Sequence, residues 1–167
     1  MKNILVTGAA GQIGSELVPA LRDSFGSDQV VAAAHSTALP DDINLSGPTT
    51  TIDVTDYLDL EKAIINFRID RIFHMGSILS TTAENQRESA HQVNINGTFN
   101  ILECAHQHSL EMVILPSSIA AFGVQSPQNM TPNDTIQKPN TVYGISKVYG
   151  ELLGNYYESK LGLDVRG

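Results

Sequence analysis

Tyr143 and Lys147 lie four residues apart in the stretch TVYGISKVYGELLGNYYESK, residues 141–160, and Ser118 lies 25 residues before Tyr143. On a helix, positions i and i+4 share one face, so a phenol and an ammonium at this spacing point into one site. An unperturbed phenol titrates near about 10, and a fixed positive charge beside it favours the phenolate. Such a pair is an acid/base device, and a serine hydroxyl beside it can orient a substrate oxygen. Each residue alone has a plainer reading, since a helical tyrosine usually packs and a helical lysine is usually solvated.

What must position these groups begins at the N-terminus. KNILVT, residues 2–7, is a short apolar run that stops at Gly8. Gly8-Ala9-Ala10-Gly11-Gln12-Ile13-Gly14 follows, then SELVPALRDSF with apolar spacing suited to a helix, Pro19 inside it. Strand, glycine turn and helix stand in the order that a dinucleotide site needs. Glycines allow the tight turn and a close approach of backbone to pyrophosphate, and the helix start supplies amide donors. Behind such a loop, Ser118, Tyr143 and Lys147 imply hydride transfer. A phenolate takes a substrate hydroxyl proton, carbon gives hydride to a nicotinamide, and the lysine also reaches the cofactor ribose.

The second strand is QVVAAAHS, residues 29–36. In NAD-binding units an acidic residue at this strand end takes the ribose hydroxyls, but here it reads Ala34-His35-Ser36. Residues 37–49 read as a loop. TTTIDVTD, 49–56, is a third strand ending in Asp53-Val54, and Asp56 is placed to cap the helix LDLEKAIINF. The fourth strand lies in RIDRIFHMGS, 68–77, where His74 reads as a core residue and Gly76 and Ser77 let a ligand pass closely. Residues 83–108 suit one long or broken helix, and Asn94, Asn96 and Gly97 are poor helix-interior residues that need a reason. His91, His106 and His108 read as surface residues. EMVILPSS, 111–118, is a fifth strand, a Pro/Asn/Thr-rich loop spans 123–141, and GLDVRG begins a sixth strand. Strands alternating with helices predict an α/β chain with a doubly wound parallel sheet.

Composition bounds the rest. The 167 residues are enough for one domain, 41% hydrophobic and 17% charged, with net charge −8. An acidic chain of this kind argues against general nucleic-acid binding, which needs a basic face. One cysteine, Cys104, excludes an internal disulfide, and no Cys/His spacing predicts a metal site. No apolar run approaches the roughly 18 residues of a membrane span. Met1-Lys2 leads straight into a strand, so no signal peptide and a cytoplasmic location are expected.

The glycine loop, Asp53-Val54, Asn94-Ile95-Asn96-Gly97-Thr98, Ser117-Ser118-Ile119-Ala120-Ala121-Phe122-Gly123 and Tyr143-x-x-x-Lys147 together resemble the extended short-chain dehydrogenase/reductase family of epimerases and dehydratases. The resemblance implies a Rossmann-like fold, Ser118, Tyr143 and Lys147 as the catalytic set, and Gly8, Gly11, Gln12, Ile13, Gly14, His35, Asp53, Val54, Met75, Gly76, Ser77 and Asn94 along the cofactor with Tyr143 and Lys147. The wording of residues 115–157 and of SGPTTTIDVTD, HMGSILSTTAE and GLDVRG is similar to the epimerase-like L-threonine 3-dehydrogenase branch. That branch implies NAD as cofactor, L-threonine as small-molecule substrate, 2-amino-3-oxobutyrate as product, and Ser80 with Ser118 and Tyr143 as substrate contacts. Family members often dimerise through the two long helices, which implies a homodimer; Val148, Tyr149, Leu152, Leu153 and Tyr156 form a stripe that would serve either that face or an internal core.

Two departures stand out. The missing carboxylate at Ala34 implies weakened NAD preference and some NADP tolerance. The family also runs to roughly twice this length, which implies an N-terminal portion that lacks the substrate-binding region. Two other readings remain: a sugar-nucleotide epimerase or dehydratase, and a catalytically silent nucleotide-binding module.

Overall fold

The computed structural model describes residues 2–167. Its strands are β1 (Ile4–Thr7), β2 (Val30–Ala34), β3 (Thr49–Thr51), β4 (Arg71–His74), β5 (Met112–Ile114) and β6 (Asp164–Arg166). They form one six-stranded sheet in the order β3-β2-β1-β4-β5-β6, with every pairing parallel. Because successive side chains alternate faces, β1 sends Ile4 and Val6 into one core and Leu5 into the other. β2 does the same, with Val30 and Ala32 opposed to Val31 and Ala33. Strands buried on both faces have no polar phase, which is why both read as unbroken apolar runs.

Helices cover each face. α1 (Gln12–Phe25) and α2 (Asp41–Leu45) close the side of Ile4 and Val6 through Val18, Leu21 and Ile43. α3 (Tyr57–Phe67), the long helical stretch ending in α6 (Gly97–Gln107), and Tyr157 close the other. α2 lies inside the segment expected to be loop. Pro40 precedes it and Asp41 and Asp42 occupy its first turn, a start signal, but five residues are too few to show a helical period. Arg22 holds this corner. The residue is 4% exposed, and its guanidinium donates to the carbonyls of Val30, Ile43 and Pro48 and to Ser46 Oγ, with no carboxylate partner among the described residues.

Of the long or broken helix expected over 83–108, the structure has the broken form. α4 (Ser80–Asn85) and α5 (Arg87–Ala90) lead into a π-helical turn, His91–Asn96, before α6 resumes. α7 (Val142–Tyr156) also ends in a π turn, Tyr157–Leu161. Two histidines read as surface residues have partners instead: His108 Nε2 lies 3.0 Å from Glu61 Oε1, and His106 packs edge-on against Tyr157.

Strand order reverses between β1 and β4. Open parallel sheets bind ligands at this point, outside the carboxyl ends of the strands.

Candidate active site

The turn after β1 is shaped by what it cannot hold. Gly8 has φ +66°, and a Cβ there would lie 2.5 Å from Gly76 N and 2.7 Å from Met75 C. The ends of β1 and β4 therefore meet backbone to backbone. A side chain on Gly14 would strike Ala9 Cα at 2.7 Å, which seats the first turn of α1 against the loop. Gly11 caps that helix without any side-chain hydrogen bond, so its leading amides are left for a ligand. Gln12 and Ile13 are exposed at the first turn of α1 and are not among the residues that line the adjoining cleft.

A cleft of about 400 Å³ opens here, lined by Gly8, Gly11, His35, Asp53, Val54, Met75, Gly76 and Ser77 among others. Eight of the expected cofactor residues are thus brought to one cavity. Its size suits a bound small molecule, and its backbone-walled floor admits a close pyrophosphate. Asp53 is pinned at the end of β3: its Oδ1 accepts from Thr55 N at 2.9 Å and from Thr55 Oγ1 at 2.8 Å. The Thr55 amide bond is the largest influence holding its carboxyl below the usual range. Asn100 donates to the carbonyls of Val54 and Thr55, tying α6 to the same strand end.

Asn94 has a different place from the one expected. It lies in the π turn, 4% exposed, and lines a smaller cavity beside Lys147. Oδ1 accepts from Ile78 N at 2.8 Å and Ser77 Oγ at 3.2 Å, while Nδ2 donates to Ile78 O at 2.9 Å and Ser146 Oγ at 3.4 Å. Two acceptor sites and two donor hydrogens are all used by protein. The residue clamps the loop after β4 to α7, and the π turn is what aims it there.

Of the catalytic candidates, Lys147 lines the small cavity with Asn94, while Ser118 and Tyr143 line neither cavity. Ser118 follows β5 and opens a short 3₁₀ turn, Ile119–Ala121; its Oγ accepts from Ala120 N at 3.2 Å, which leaves its own hydrogen free to donate. Thr141 caps α7 by accepting from Gly144 N at 3.0 Å, and Glu84 of α4 accepts from Val142 N at 2.6 Å. Tyr143 stands between those two fastened amides. Gly144 brings the helix onto the Ser118 turn: a Cβ on it would meet the Ala120 carbonyl, Pro139 and Thr141.

Lys147 Nζ lies 5.4 Å from the Tyr143 ring centroid and donates to Pro116 O at 2.9 Å. Burial pulls its pKa below the ordinary lysine value. Its neighbour across the small cavity, His74, is 5% exposed and bonds Thr7 Oγ1 through Nδ1 at 2.7 Å. Burial, with the Lys147 charge second, lowers His74 to about 4, so the imidazole is neutral and adds no second cation beside Lys147. Ser117 hydrogen-bonds Glu151, whose other oxygen accepts from Gln137 Nε2 at 2.8 Å. Ser80 is exposed at the start of α4 and lines neither cavity.

Glu84 and Gly144 escaped the reading of the sequence. For Gly144 a signal existed, because a glycine inside a helix next to a tyrosine asks for a close packing partner. Glu84 had none, as its partner is 58 residues away. Among the described residues, no group of three or more His, Cys, Asp or Glu could hold a metal, and no helix is long and apolar enough to cross a membrane.

Comparison with known proteins agrees with this geometry. Residues 4–167 match the NAD dependent epimerase/dehydratase family. The chain is 42% identical over 165 residues to the mitochondrial L-threonine 3-dehydrogenase of Bos taurus, covering 99% of this chain and 44% of that protein. It is 43% identical over 166 residues to an uncharacterized epimerase/dehydratase of Staphylococcus epidermidis, covering 99% and 52%. The solved L-threonine dehydrogenase of Clostridium difficile superposes with a TM-score of 0.95 at 46% identity, over 100% of this chain and 52% of that one. The chain thus spans about half the length of the relatives it matches. With its glycine turn at the switch point of the sheet and its Tyr143-Lys147 pair one helical turn apart, it belongs to the NAD-dependent epimerase/dehydratase family.

Proposed function

We propose that this chain is the dinucleotide-binding, proton-accepting part of an NAD-dependent L-threonine 3-dehydrogenase, which oxidises the substrate's side-chain alcohol to 2-amino-3-oxobutyrate. The observation that carries the substrate is the likeness to L-threonine dehydrogenases along the whole chain. The residues present fit a dinucleotide: with glycine at position 8 the ends of β1 and β4 approach backbone to backbone beside the cleft, and the start of α1, which no side chain caps, offers amides to phosphate. When bound, the nicotinamide supplies the hydride acceptor.

The chain's own groups handle the proton. Tyr143 accepts it from the C3 hydroxyl as C3 loses hydride, and Ser118 donates a hydrogen bond to the same oxygen. The Lys147 ammonium supports the negative charge the phenol oxygen must carry. The test is NADH formation by the full gene product given L-threonine and NAD, beside calorimetry of the 167-residue chain with NAD. Binding without any NADH defeats the dehydrogenase reading. A second reading is a sugar-nucleotide epimerase or dehydratase, since the Staphylococcus epidermidis relative, an uncharacterized epimerase/dehydratase, matches at comparable identity; interconversion of a UDP-hexose with no oxidation of threonine would select it. Binding with neither reaction would select the silent module.

With Ala34 at the end of β2, no carboxylate there repels a 2′-phosphate, and NADP is tolerated beside NAD. Ala34→Asp is expected to raise NAD preference by about tenfold, the value of one lost charge-assisted hydrogen bond; equal affinity ratios with and without it sink the reading. The protein also pairs as a homodimer. Ile145, Leu152 and Tyr156 of α7 are 53%, 64% and 52% exposed, and half-buried Tyr149 completes an i, i+4, i+7, i+11 stripe with them. Leu153, expected on that face, packs against the core instead. Leu152→Glu should convert a dimer to monomer in sedimentation equilibrium without loss of fold; a wild-type chain that sediments as a monomer excludes the pairing.

A further inference from the structure

We propose that Glu151 is a positioning residue for the reaction: its carboxylate clasps both ends of the loop that carries Ser118, and so fixes the Ser118 hydroxyl relative to Tyr143. The inference deepens the dehydrogenase reading above and rests on it.

Tyr143, Lys147 and Glu151 occupy one face of α7 at successive turns, i, i+4 and i+8. Ser117, the residue before Ser118, donates from Oγ to Glu151 Oε1. The loop then runs out and returns, and Gln137 Nε2 donates to Glu151 Oε2 at 2.8 Å. Between these ties the loop closes on itself, since Gly123 meets the Lys138 carbonyl so tightly that a Cβ there would overlap it. One carboxylate on the catalytic helix therefore gathers the start of the loop at Ser118 and its end before Tyr143. Both its oxygens are engaged by protein groups, which a glutamate on a solvated helix face does not require.

Ser118 has little hold of its own. Its Oγ accepts from Ala120 N at 3.2 Å, a bond inside its own turn. Three ties reach from this turn to α7: Lys147 Nζ to Pro116 O, the close approach of Gly144 to Ala120 O, and Glu151 to Ser117. Lys147 belongs to the catalytic set and Gly144 acts through backbone, so Glu151 is the side chain whose part is to hold. A shift of about 1 Å in a positioned group costs about a hundredfold in rate, so release of this clasp is worth about ten- to a hundredfold. Lys147 and Glu151 also line the same small cavity, and glutamine separates clasp from charge. In Glu151→Gln the amide oxygen still accepts from Ser117, and Gln137 can turn its own amide to accept from the new one.

The test is steady-state kinetics of the full gene product with L-threonine and NAD, with thermal unfolding measured alongside. Glu151→Ala is expected to lower kcat about ten- to a hundredfold with the KM for NAD unchanged, and Glu151→Gln to keep most of the wild-type rate. In a Ser118→Ala background, adding Glu151→Ala should cost less than about threefold more, because the group it positions is gone. Ser117→Ala removes one tie at the surface and should lower kcat about three- to tenfold with little change in unfolding temperature; its cycle with Ser118→Ala serves where Glu151→Ala does not fold. Glutamine as poor as alanine, or losses that multiply in the double variant, would overturn the clasp. So would a Ser117→Ala enzyme of full activity. A wild-type protein that forms no NADH from threonine would instead overturn the dehydrogenase reading, and this inference with it.

Discussion

In the complete L-threonine dehydrogenase proposed above, Tyr143→Phe is expected to lower turnover by about 10²–10⁴-fold, the usual worth of a positioned general base, while NAD binds as before. The aromatic ring survives the change, so packing at the start of α7 is kept. Thr141 and Glu84 still fasten the flanking amides, and Lys147 still reaches the Pro116 carbonyl. Only the oxygen that takes the proton is removed. Because that contact matters when the proton moves, the loss should fall on kcat and on kcat/KM together, with KM little changed. Stopped-flow formation of NADH measures the step, and calorimetry with NAD supplies the control. A Phe variant with near-normal kcat would remove Tyr143 from the chemistry, whatever its position in the family motif. A variant that has also lost NAD affinity would show that the hydroxyl serves the cofactor more than the substrate.

The parts of this site that the sequence displays are those set by neighbours along the chain. β1, the glycine turn and α1 are contiguous, and their periods and glycines state the arrangement outright. Asp56 is a similar case: it stands two and three residues before the amides it caps, those of Leu58 and Asp59. Asn94 was visible as an anomaly only. Its polarity in mid-helix marked it, but its partners Ile78 and Ser146 are 16 and 52 residues away, so the clamp was hidden and a cofactor contact stood in its place. The π turn that aims it was hidden too, since a π turn keeps helical composition and changes only the register. His74 was recognised as a core residue, yet its bond to Thr7 joins strands 67 residues apart. Contacts closed by the fold, more than those closed by the chain, are what the sequence conceals.

Gly8→Ala carries the second large effect, and it separates cradle from chemistry. At φ +66° an alanine is strained by about 1–3 kcal/mol. Its methyl would also overlap Gly76 and Met75 backbone, which has no rotamer to move and must shift as a strand end; such overpacking costs about 1–3 kcal/mol more. The sum, about 2–6 kcal/mol, is a large share of the roughly 5–15 kcal/mol that holds an ordinary domain together. Thermal unfolding should therefore fall by several degrees at least. Relief of the overlap pushes β1 and β4 apart at the switch point, the place where the cleft requires their closest approach. NAD affinity should drop by more than tenfold even at temperatures where the chain remains folded by circular dichroism. Gly26→Ala is the matched control: that glycine also has positive φ, at +101°, but nothing lies within 4 Å of its would-be Cβ. It should lose stability from backbone strain while keeping NAD affinity. Equal loss of affinity in both variants would mean that general destabilisation, and not closure of the Gly8–Gly76 approach, governs binding.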